Sequence, residues 1–444
     1  MAVDETRLEG SIGRASGPSA AVAPQLPFDL DDLRRQTIIE RLVLRLVDDP
    51  RRLFAILRRF RPIAHLPFTN CWMVTRFDDV QEVLGHDQIF PVPWGEKVKA
   101  LDGGPNFLLG MAADEDYWRY QKQVMQAFRF EDAANVVAPL ANQFAREIID
   151  RSGGRLDAVQ NLITLVATNI CERYYGVQIA DDAKVTFGQW TIAMSNYMFA
   201  DPTDKPAYRS VALAAGERVR PAVDRAIAGA KAGTGLPGTA LARLVAMQRT
   251  GAEALTDEII RTFLVGMITG FVPTNTMAAG HMLEILLRRP DFMAPTRAAA
   301  LAGDDELLKR CLFEAMRFKP LNPGPFRNCA ADYTIAAGTR RATRISKGAM
   351  LIAGTQSAMF DERRVARPND FNPNRPASDF MLFGYGLHWC VGAFIAEAQI
   401  TQTLKALLLT KGLRRAPGKA GQLQLLGPFP EHLVVEFTDP RATV

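Results

Sequence analysis

One cysteine, Cys390, lies in a glycine-rich turn that leads into an apolar segment of helical character, 393–409. At a helix start, a thiolate is stabilised by backbone N–H groups without helical partners and by the helix dipole. Gly386 and Gly392 carry no side chain, so a flat, bulky ligand can lie against the backbone there. These residue types in this order predict an anionic sulfur that binds the iron of a haem.

The turn resembles the cysteine-ligand loop of the cytochrome P-450 family. The family pattern F-x-x-G-x-x-x-C-x-G is matched by Phe383, Gly386, Cys390 and Gly392. His388 fits the bacterial variant of this loop, in which the histidine contacts a haem propionate. The resemblance implies that Cys390 is the axial metal ligand of haem b, iron protoporphyrin IX, and that the other four residues belong to the haem-binding loop.

A second motif lies upstream in the apolar segment 307–318, where Glu314 and Arg317 are three residues apart and share one helical face. An exposed pair of this kind contributes little to stability, but its position in an apolar segment predicts a buried pair. It resembles the E-x-x-R pair of the family, and Arg375 resembles the third member of that network. A buried charge left alone is strongly destabilising, so we expect loss of Glu314 or Arg317 to give haem-free, poorly folded protein.

Basic or hydrogen-bond-donating residues are expected at the haem propionates, and the resemblance assigns this role to Arg327 and His388. An early helix of the family also contributes, through W-x-x-x-R or H-x-x-x-R. Here Trp118 and Lys122 give W-x-x-x-K, in which lysine lacks the bidentate fork of arginine. A register one residue earlier stays open, with Tyr117 and Gln121.

A long apolar segment from Thr256 to Arg289 predicts the helix that covers the other face of the haem. The family usually carries [A/G]-G-x-[D/E]-T there, whose acid and threonine deliver protons to bound oxygen. Counting from the start of the segment puts Gly270 at the second glycine of that motif. Counting from its end puts Pro273 at the acid and Thr274 at the threonine. In both registers the carboxylate is missing.

Gly270, Pro273 and Thr274 are therefore the predicted catalytic residues, with Thr274 as the alcohol that orients oxygen or water. Pro273 has no N–H to bond the carbonyl of Thr269, so we expect a kink or a bulge there. Loss of the acid leaves three functions open. The first is an O2-dependent monooxygenase, the second a peroxide-dependent peroxygenase or hydroperoxide isomerase on the same scaffold, and the third a non-catalytic haem-binding sensor.

Composition restricts the class of protein. Hydrophobic residues at 48% and charged residues at 23% are typical of a globular protein with a substantial core. The sequence contains no apolar run long enough for a membrane span and no signal peptide at its polar start, which predicts a cytoplasmic, bacterial protein. Five scattered cysteines indicate reduced thiols. A net charge of +5 without a dense basic stripe argues against nucleic-acid binding.

The order of the patterns predicts one mainly α domain with a small β portion, 27–444, after a flexible leader, 1–26. We expect a helix over 31–60, a strand at 72–75 that enters a helix, a proline-containing loop at 91–106 and short strands after residue 320. The resemblance implies a single-domain cytochrome P-450 fold, a monomer and a lipophilic small-molecule substrate. It also implies a separate electron donor of the ferredoxin or flavodoxin type, for which a basic surface patch would serve.

Overall fold

The computed structural model describes residues 50–201, 204–252, 254–439 and 441. The predicted leader, 1–26, and most of the helix predicted over 31–60 lie outside this range. Within it the protein is mainly α-helical with a small β portion, as the sequence predicts. In the described part of the chain, no helix is both long and apolar enough to cross a membrane.

Helices form most of the frame. Their bounds are α1 (Arg51–Phe60), α2 (Phe77–Gly85), α3 (Gly95–Asp102), α4 (Glu115–Ala127), α5 (Ala138–Arg151), α6 (Leu165–Ile170), α7 (Lys184–Ser195), α8 (Pro206–Lys231), α9 (Ala240–Arg249), α10 (Asp257–Arg288), α11 (Pro290–Ala302), α12 (Asp305–Phe318), α13 (Thr355–Ala358) and α14 (Ala393–Leu408). Single π-helical turns at Ala133–Val137, Val159–Thr164, Cys171–Tyr175 and Asn196–Ala200 extend α5, α6 and α7.

The β portion is divided among small sheets. The strands are β1 (Ile63–His65), β2 (Cys71–Val74), β3 (Arg155–Asp157), β4 (Phe326–Asn328), β5 (Tyr333–Ile335), β6 (Thr343–Ile345), β7 (Met350–Ala353), β8 (Arg414–Arg415), β9 (Gln424–Leu426), β10 (Phe429–His432) and β11 (Val434–Glu436). The largest sheet has the order β1-β2-β7-β4, with β2 and β7 parallel and the outer pairs antiparallel. The others are β3-β11-β8, β5-β6 and β9-β10.

Helix α10 lies at the centre of the molecule and packs against α7, α8, α12 and α14. Its start is fixed by Thr256, whose side chain accepts a hydrogen bond from the N–H of Ile259. The helix matches the span predicted from the sequence within one residue at each end. It is α-helical at every position and continues through Pro273, so the predicted bulge is absent from α10.

The segment 91–106 differs from the prediction, because it contains helix α3 instead of a continuous loop. Its prolines, Pro91, Pro93 and Pro105, lie before and after the eight helical residues and so interrupt none of their hydrogen bonds. Gly103 ends the helix in the left-handed conformation, with φ of 67°, and donates its N–H to the carbonyl of Lys99.

Candidate functional site

The cysteine turn lies on α2 and α12. The N–H of Cys390 donates to the carbonyl of Phe383 over 3.0 Å, which closes the turn. Gly386 has φ of 72°, and a β-carbon there would lie 2.5 Å from the carbonyl oxygen of Leu84, so only glycine lets the turn pack this closely on α2. The Phe383 ring packs 5.7 Å from the ring of Phe313 on α12. The turn is thereby held by its neighbours on both sides.

Burial determines the chemistry of the Cys390 sulfur. It raises the pKa of the thiol to about 11, against the smaller opposing effect of the Gly392 N–H. A lone thiol at this position is therefore neutral at pH 7. An anionic sulfur here requires an adjacent positive charge, and a metal cation supplies one.

Helix α10 is less closely packed at one turn, which lies opposite the cysteine turn. Every residue from Thr262 to Glu284 is buried except Gly270 and Thr274, which are one helical turn apart. Apart from neighbouring atoms of the same helix, no atom of the described residues lies within 4 Å of the place that a β-carbon on Gly270 would take, and the Thr274 hydroxyl donates to the Gly270 carbonyl. The methyl group of Met267 lies 3.9 Å from the corresponding place on Gly392. This part of α10 and the cysteine turn therefore face each other.

Arg327 and His388 lie at one end of the site, and Arg327 supplies the positive charge there. Arg327, on β4, is 3% exposed and donates to the carbonyl of Phe326 over 2.8 Å. No carboxylate among the described residues forms an ion pair with it, and burial lowers its pKa to about 10. Burial and then the charge of Arg327 lower the pKa of His388 to about 4, so the imidazole is neutral at pH 7. A buried guanidinium in this setting calls for an anionic ligand.

Helix α4 directs Tyr117 toward the cysteine turn. The tyrosine is 3% exposed, its hydroxyl donates to the carbonyl of Leu387 over 2.7 Å, and its ring lies 6.4 Å from that of His388. Trp118 is 53% exposed and Lys122 is also exposed, since a shift of one residue rotates a side chain by about 100° around a helix. The structure therefore brings Tyr117 of the alternative register to the cysteine turn, while Trp118 and Lys122 are exposed.

Glu314, Arg317 and Arg375 form one buried charge network. Arg317 makes two parallel hydrogen bonds to the Glu314 carboxylate, of 2.9 and 2.8 Å, and both side chains are fully buried. Arg375 approaches the same carboxylate at 3.4 Å, and the main-chain N–H of Asn372 donates to it over 3.0 Å. Arg317 also donates to the carbonyl of Met359. The network joins α12 to the segment that leads to the cysteine turn.

Apolar side chains pack on α10 one turn before and one turn after its open turn. The Phe107 ring lies on Gly266, where a β-carbon would be 2.4 Å from the ring. Ile192, Met277 and Phe429 form a second buried cluster with Leu321 packed against it. The sequence predicts neither the position of Phe107 nor this cluster, because their proximity depends on long-range packing that no local motif records.

Comparisons with known proteins agree with this arrangement. The cytochrome P-450 family model matches residues 237–411, which include α10, the Glu314 network and Cys390. A mycinamicin IV hydroxylase/epoxidase from Micromonospora griseorubida is 23% identical over 79% of this chain and 83% of its own. A vitamin D(3) 25-hydroxylase from Pseudonocardia autotrophica is 24% identical over the same shares of the two chains. The chain belongs to the cytochrome P-450 family.

Solved structures show the same fold. The haem domain of a Tepidiphilus thermophilus cytochrome P-450 aligns with a TM-score of 0.73 at 20% identity, over 89% of this chain and 95% of that one. The protein CalO2 aligns with a TM-score of 0.71 at 22% identity, over 94% of this chain and all of that one. As a member of the family, this cytochrome P-450 is an oxidoreductase, and its relatives support a haem-thiolate monooxygenase.

The residues of this site fit the haem that the family implies. Cys390 has a sulfur that needs a positive counter-charge, Arg327 has a guanidinium that needs an anion, and α10 is open at Gly270. An iron porphyrin with propionates meets all three requirements. Met267 must turn away from Gly392 to admit a flat ring, which its unbranched, flexible side chain allows.

Proposed function

We propose that this cytochrome P-450 inserts one oxygen atom of O2 into a lipophilic small molecule, with electrons from a separate protein of the ferredoxin or flavodoxin type. The observation that carries the proposal is the position of Cys390, whose partly buried sulfur lacks a counter-charge and belongs to the turn that faces the open turn of α10. Two relatives are named as a hydroxylase/epoxidase and a 25-hydroxylase, which supports oxygen insertion.

We take the cofactor to be haem b, held by the sulfur of Cys390 and through its propionates by Arg327, His388 and Tyr117. Bound haem supplies an iron that activates oxygen, and a thiolate ligand favours cleavage of the O–O bond. Arg327 contributes a permanent charge in a dry environment, where charge-assisted hydrogen bonds are strong. Because its pKa is about 4, His388 offers a neutral N–H and adds no charge at pH 7.

Thr274 is the group best placed to orient oxygen or water. Its hydroxyl hydrogen is used in the bond to the Gly270 carbonyl, so its oxygen remains free to accept a hydrogen bond at the open turn. This bond between residues four apart supports the register that was counted from the end of the helix. Pro273 then occupies the place of the missing acid.

The surroundings of the open turn support a lipophilic substrate. Ile192, Met277 and Phe429 are each 5% exposed or less, and α10 carries no carboxylate between Glu258 and Glu284. Removal of such a surface from water favours an apolar ligand, and a charged one would have to be desolvated without a partner.

An exposed aromatic face supports docking of a separate electron donor. It comprises four aromatic residues and one methionine, which lie on or just after α4 and in the cysteine turn and are 37–73% exposed: Trp118, Met125, Phe130, Tyr385 and Trp389. The Phe130 ring lies 5.6 Å from that of Phe394 at the start of α14, and Trp389 adjoins Cys390 in sequence. Exposed apolar patches mark interaction surfaces, and the exposed Lys122 and Arg129 favour a partner with an acidic rim.

The proposal is tested first by spectroscopy. The reduced protein treated with carbon monoxide should absorb at about 450 nm, the position that thiolate ligation produces. Cys390→Ser should lose this band. The matched control Cys71→Ser replaces a cysteine on β2, away from the turn, and should keep it. Absence of the band from intact wild-type protein would contradict haem-thiolate ligation and with it the proposed function.

Turnover then separates the candidate reactions. A panel of lipophilic compounds, chosen by shifts of the Soret band, is incubated either with O2, NADPH, ferredoxin reductase and ferredoxin or with hydrogen peroxide alone. We expect product from the first mixture. At limiting ferredoxin, Trp118→Ser should raise the KM for ferredoxin, while rates with peroxide stay unchanged.

A peroxide-dependent peroxygenase is the second candidate, because Pro273 occupies the place of the proton-delivering acid. Such an enzyme starts from a substrate that already contains the O–O bond and needs no proton relay from O2. Product from hydrogen peroxide or a lipid hydroperoxide, with none from O2 and reduced ferredoxin, would establish this reaction instead. If no compound shifts the Soret band and neither oxidant gives product, a haem-binding sensor remains.

A further inference from the structure

Thr269, on α10, has a buried hydroxyl without a hydrogen-bond partner in the described part of the protein. The residue is 1% exposed. A threonine within a helix usually donates to a carbonyl one turn earlier. Two other fully buried threonines do so: Thr296 bonds the carbonyl of Phe292 and Thr191 that of Gly188, each over 2.7 Å. Thr269 makes no such bond, so its hydroxyl calls for an additional partner.

The main-chain carbonyl of Thr269 also lacks its usual helical partner. In an α-helix this carbonyl accepts from the N–H four residues later, and that residue is Pro273, which has no N–H. One residue thus presents, within the core, a hydroxyl without a partner and a carbonyl that lacks its usual donor four residues later. A gap of this kind in a helix is a common place for a water molecule to insert.

This gap lies next to the open turn of α10. Thr269 immediately precedes Gly270, whose missing side chain leaves free space, and Thr274 follows one turn later. Thr269 and Pro273 share a helical face with Gly266, which the Phe107 ring covers. Phe107 therefore closes this face toward the start of α10, whereas the side toward Gly270 stays open.

We infer that Thr269 holds a water molecule in the gap that Pro273 leaves, through its hydroxyl and its main-chain carbonyl. This water passes protons toward Thr274 in place of the carboxylate that α10 lacks. It gives one proton to the open turn and takes one from the next water, so its own composition is unchanged. The inference rests on the proposed function, in which O2 and two electrons take up two protons and one oxygen atom leaves as water. Thr269 is a positioning residue that acts through this water.

The test compares wild type with Thr269→Val, which keeps the shape but removes the hydroxyl, and with Thr269→Ser, which restores it. Thr296→Val is the matched control, because it removes a buried threonine hydroxyl in α11, outside the site. The first readout is a high-resolution crystal structure of each haem-loaded protein. A water should lie within hydrogen-bond distance of the Thr269 carbonyl in wild type and Thr269→Ser, and be lost in Thr269→Val.

The second readout is coupling, the product formed per NADPH consumed, with its solvent isotope effect in D2O. Thr269→Val should lower coupling roughly tenfold, because positioned proton transfer contributes at least this much, and should change the isotope effect. Thr269→Ser should recover most of the coupling, and Thr296→Val should match wild type. Pro273→Ala, which returns an N–H to the Thr269 carbonyl, should also lower coupling.

The failures are distinguishable. If wild type forms product from O2 and Thr269→Val does so with the same coupling and isotope effect, the relay is refuted and the proposed function stands. A wild-type crystal structure in which Thr269 bonds only protein atoms refutes it equally. Product from peroxide alone would overturn the proposed function, and the relay with it.

Discussion

Replacement of Glu314 by alanine should prevent stable haem binding. The carboxylate is fully buried, accepts two hydrogen bonds from Arg317 and one from the Asn372 N–H, and lies 3.4 Å from Arg375. Its removal leaves the buried guanidinium of Arg317 without its ion-pair partner, whereas Arg375 keeps Asp379 at 3.7 Å, and breaking one buried pair costs about 3–5 kcal/mol. The orphaned Asn372 N–H adds about 1–3 kcal/mol. The sum of about 4–8 kcal/mol takes up most of the total stability of an ordinary domain, about 5–15 kcal/mol.

The assay is urea denaturation followed by circular dichroism, with bound haem measured on the same preparations. The matched control is Glu306→Ala on the same helix, which removes an exposed carboxylate 2.9 Å from Lys309. An exposed pair of this kind contributes about 0–1 kcal/mol, so the control should denature close to wild type and keep its haem. Equal haem content and equal urea midpoints for the Glu314 and Glu306 variants would refute the argument that burial makes this network essential.

Three further predictions concern other parts of the site. Arg327→Gln should weaken haem binding about 10- to 100-fold in titrations of the haem-free protein, because a charged hydrogen bond contributes about 1.5–3 kcal/mol; unchanged affinity would mean that Arg327 contacts no propionate. The pKa of folded His388 is about 4 and lies below its ordinary value, so the unfolded chain takes up the proton first as the pH falls. The contribution of neutral His388 to the free energy of unfolding is therefore complete above about pH 6.5. In the haem-free protein it decreases by about 2 kcal/mol by pH 5, and urea denaturation curves of His388→Gln should not show this decrease. Asn275→Val should lower the free energy of unfolding by about 1–3 kcal/mol in urea denaturation, because the buried Gln399 side-chain oxygen, which accepts from Asn275 over 2.6 Å, then has no donor from residue 275. Adding Gln399→Leu should recover part of that loss. Purely additive effects of the two substitutions would contradict the coupling.

The parts of the site that depend on local spacing could be read from the sequence. Cys390 and the glycines around it lie within ten residues, and the three-residue spacing of Glu314 and Arg317 fixes their common helical face. The bounds of α10 followed from a capping threonine and a long apolar segment. In each case the relevant interactions are formed by neighbours in the chain.

The parts that depend on orientation between distant elements could not be read in this way. On α4, Tyr117 and Trp118 are both aromatic, and only packing against the cysteine turn decides which one is buried. Helix α3 lies between prolines that read as a loop, since their positions relative to its eight residues matter more than their number. The unused hydroxyl of Thr269 became evident only when its neighbours were in place.

The contact between Phe107 and Gly266 makes the packing above this part of α10 sensitive to the size of the residue at position 266. A single hydrogen atom on the glycine occupies the place where a methyl group would lie 2.4 Å from the ring. Any larger residue at position 266 must push the ring away and carry the segment after α3 with it, since the aromatic side chain cannot shrink. Substitution of Gly266 would thus change the space available to a substrate without altering the metal ligand. This position can therefore be used in enzyme engineering to change which compounds bind.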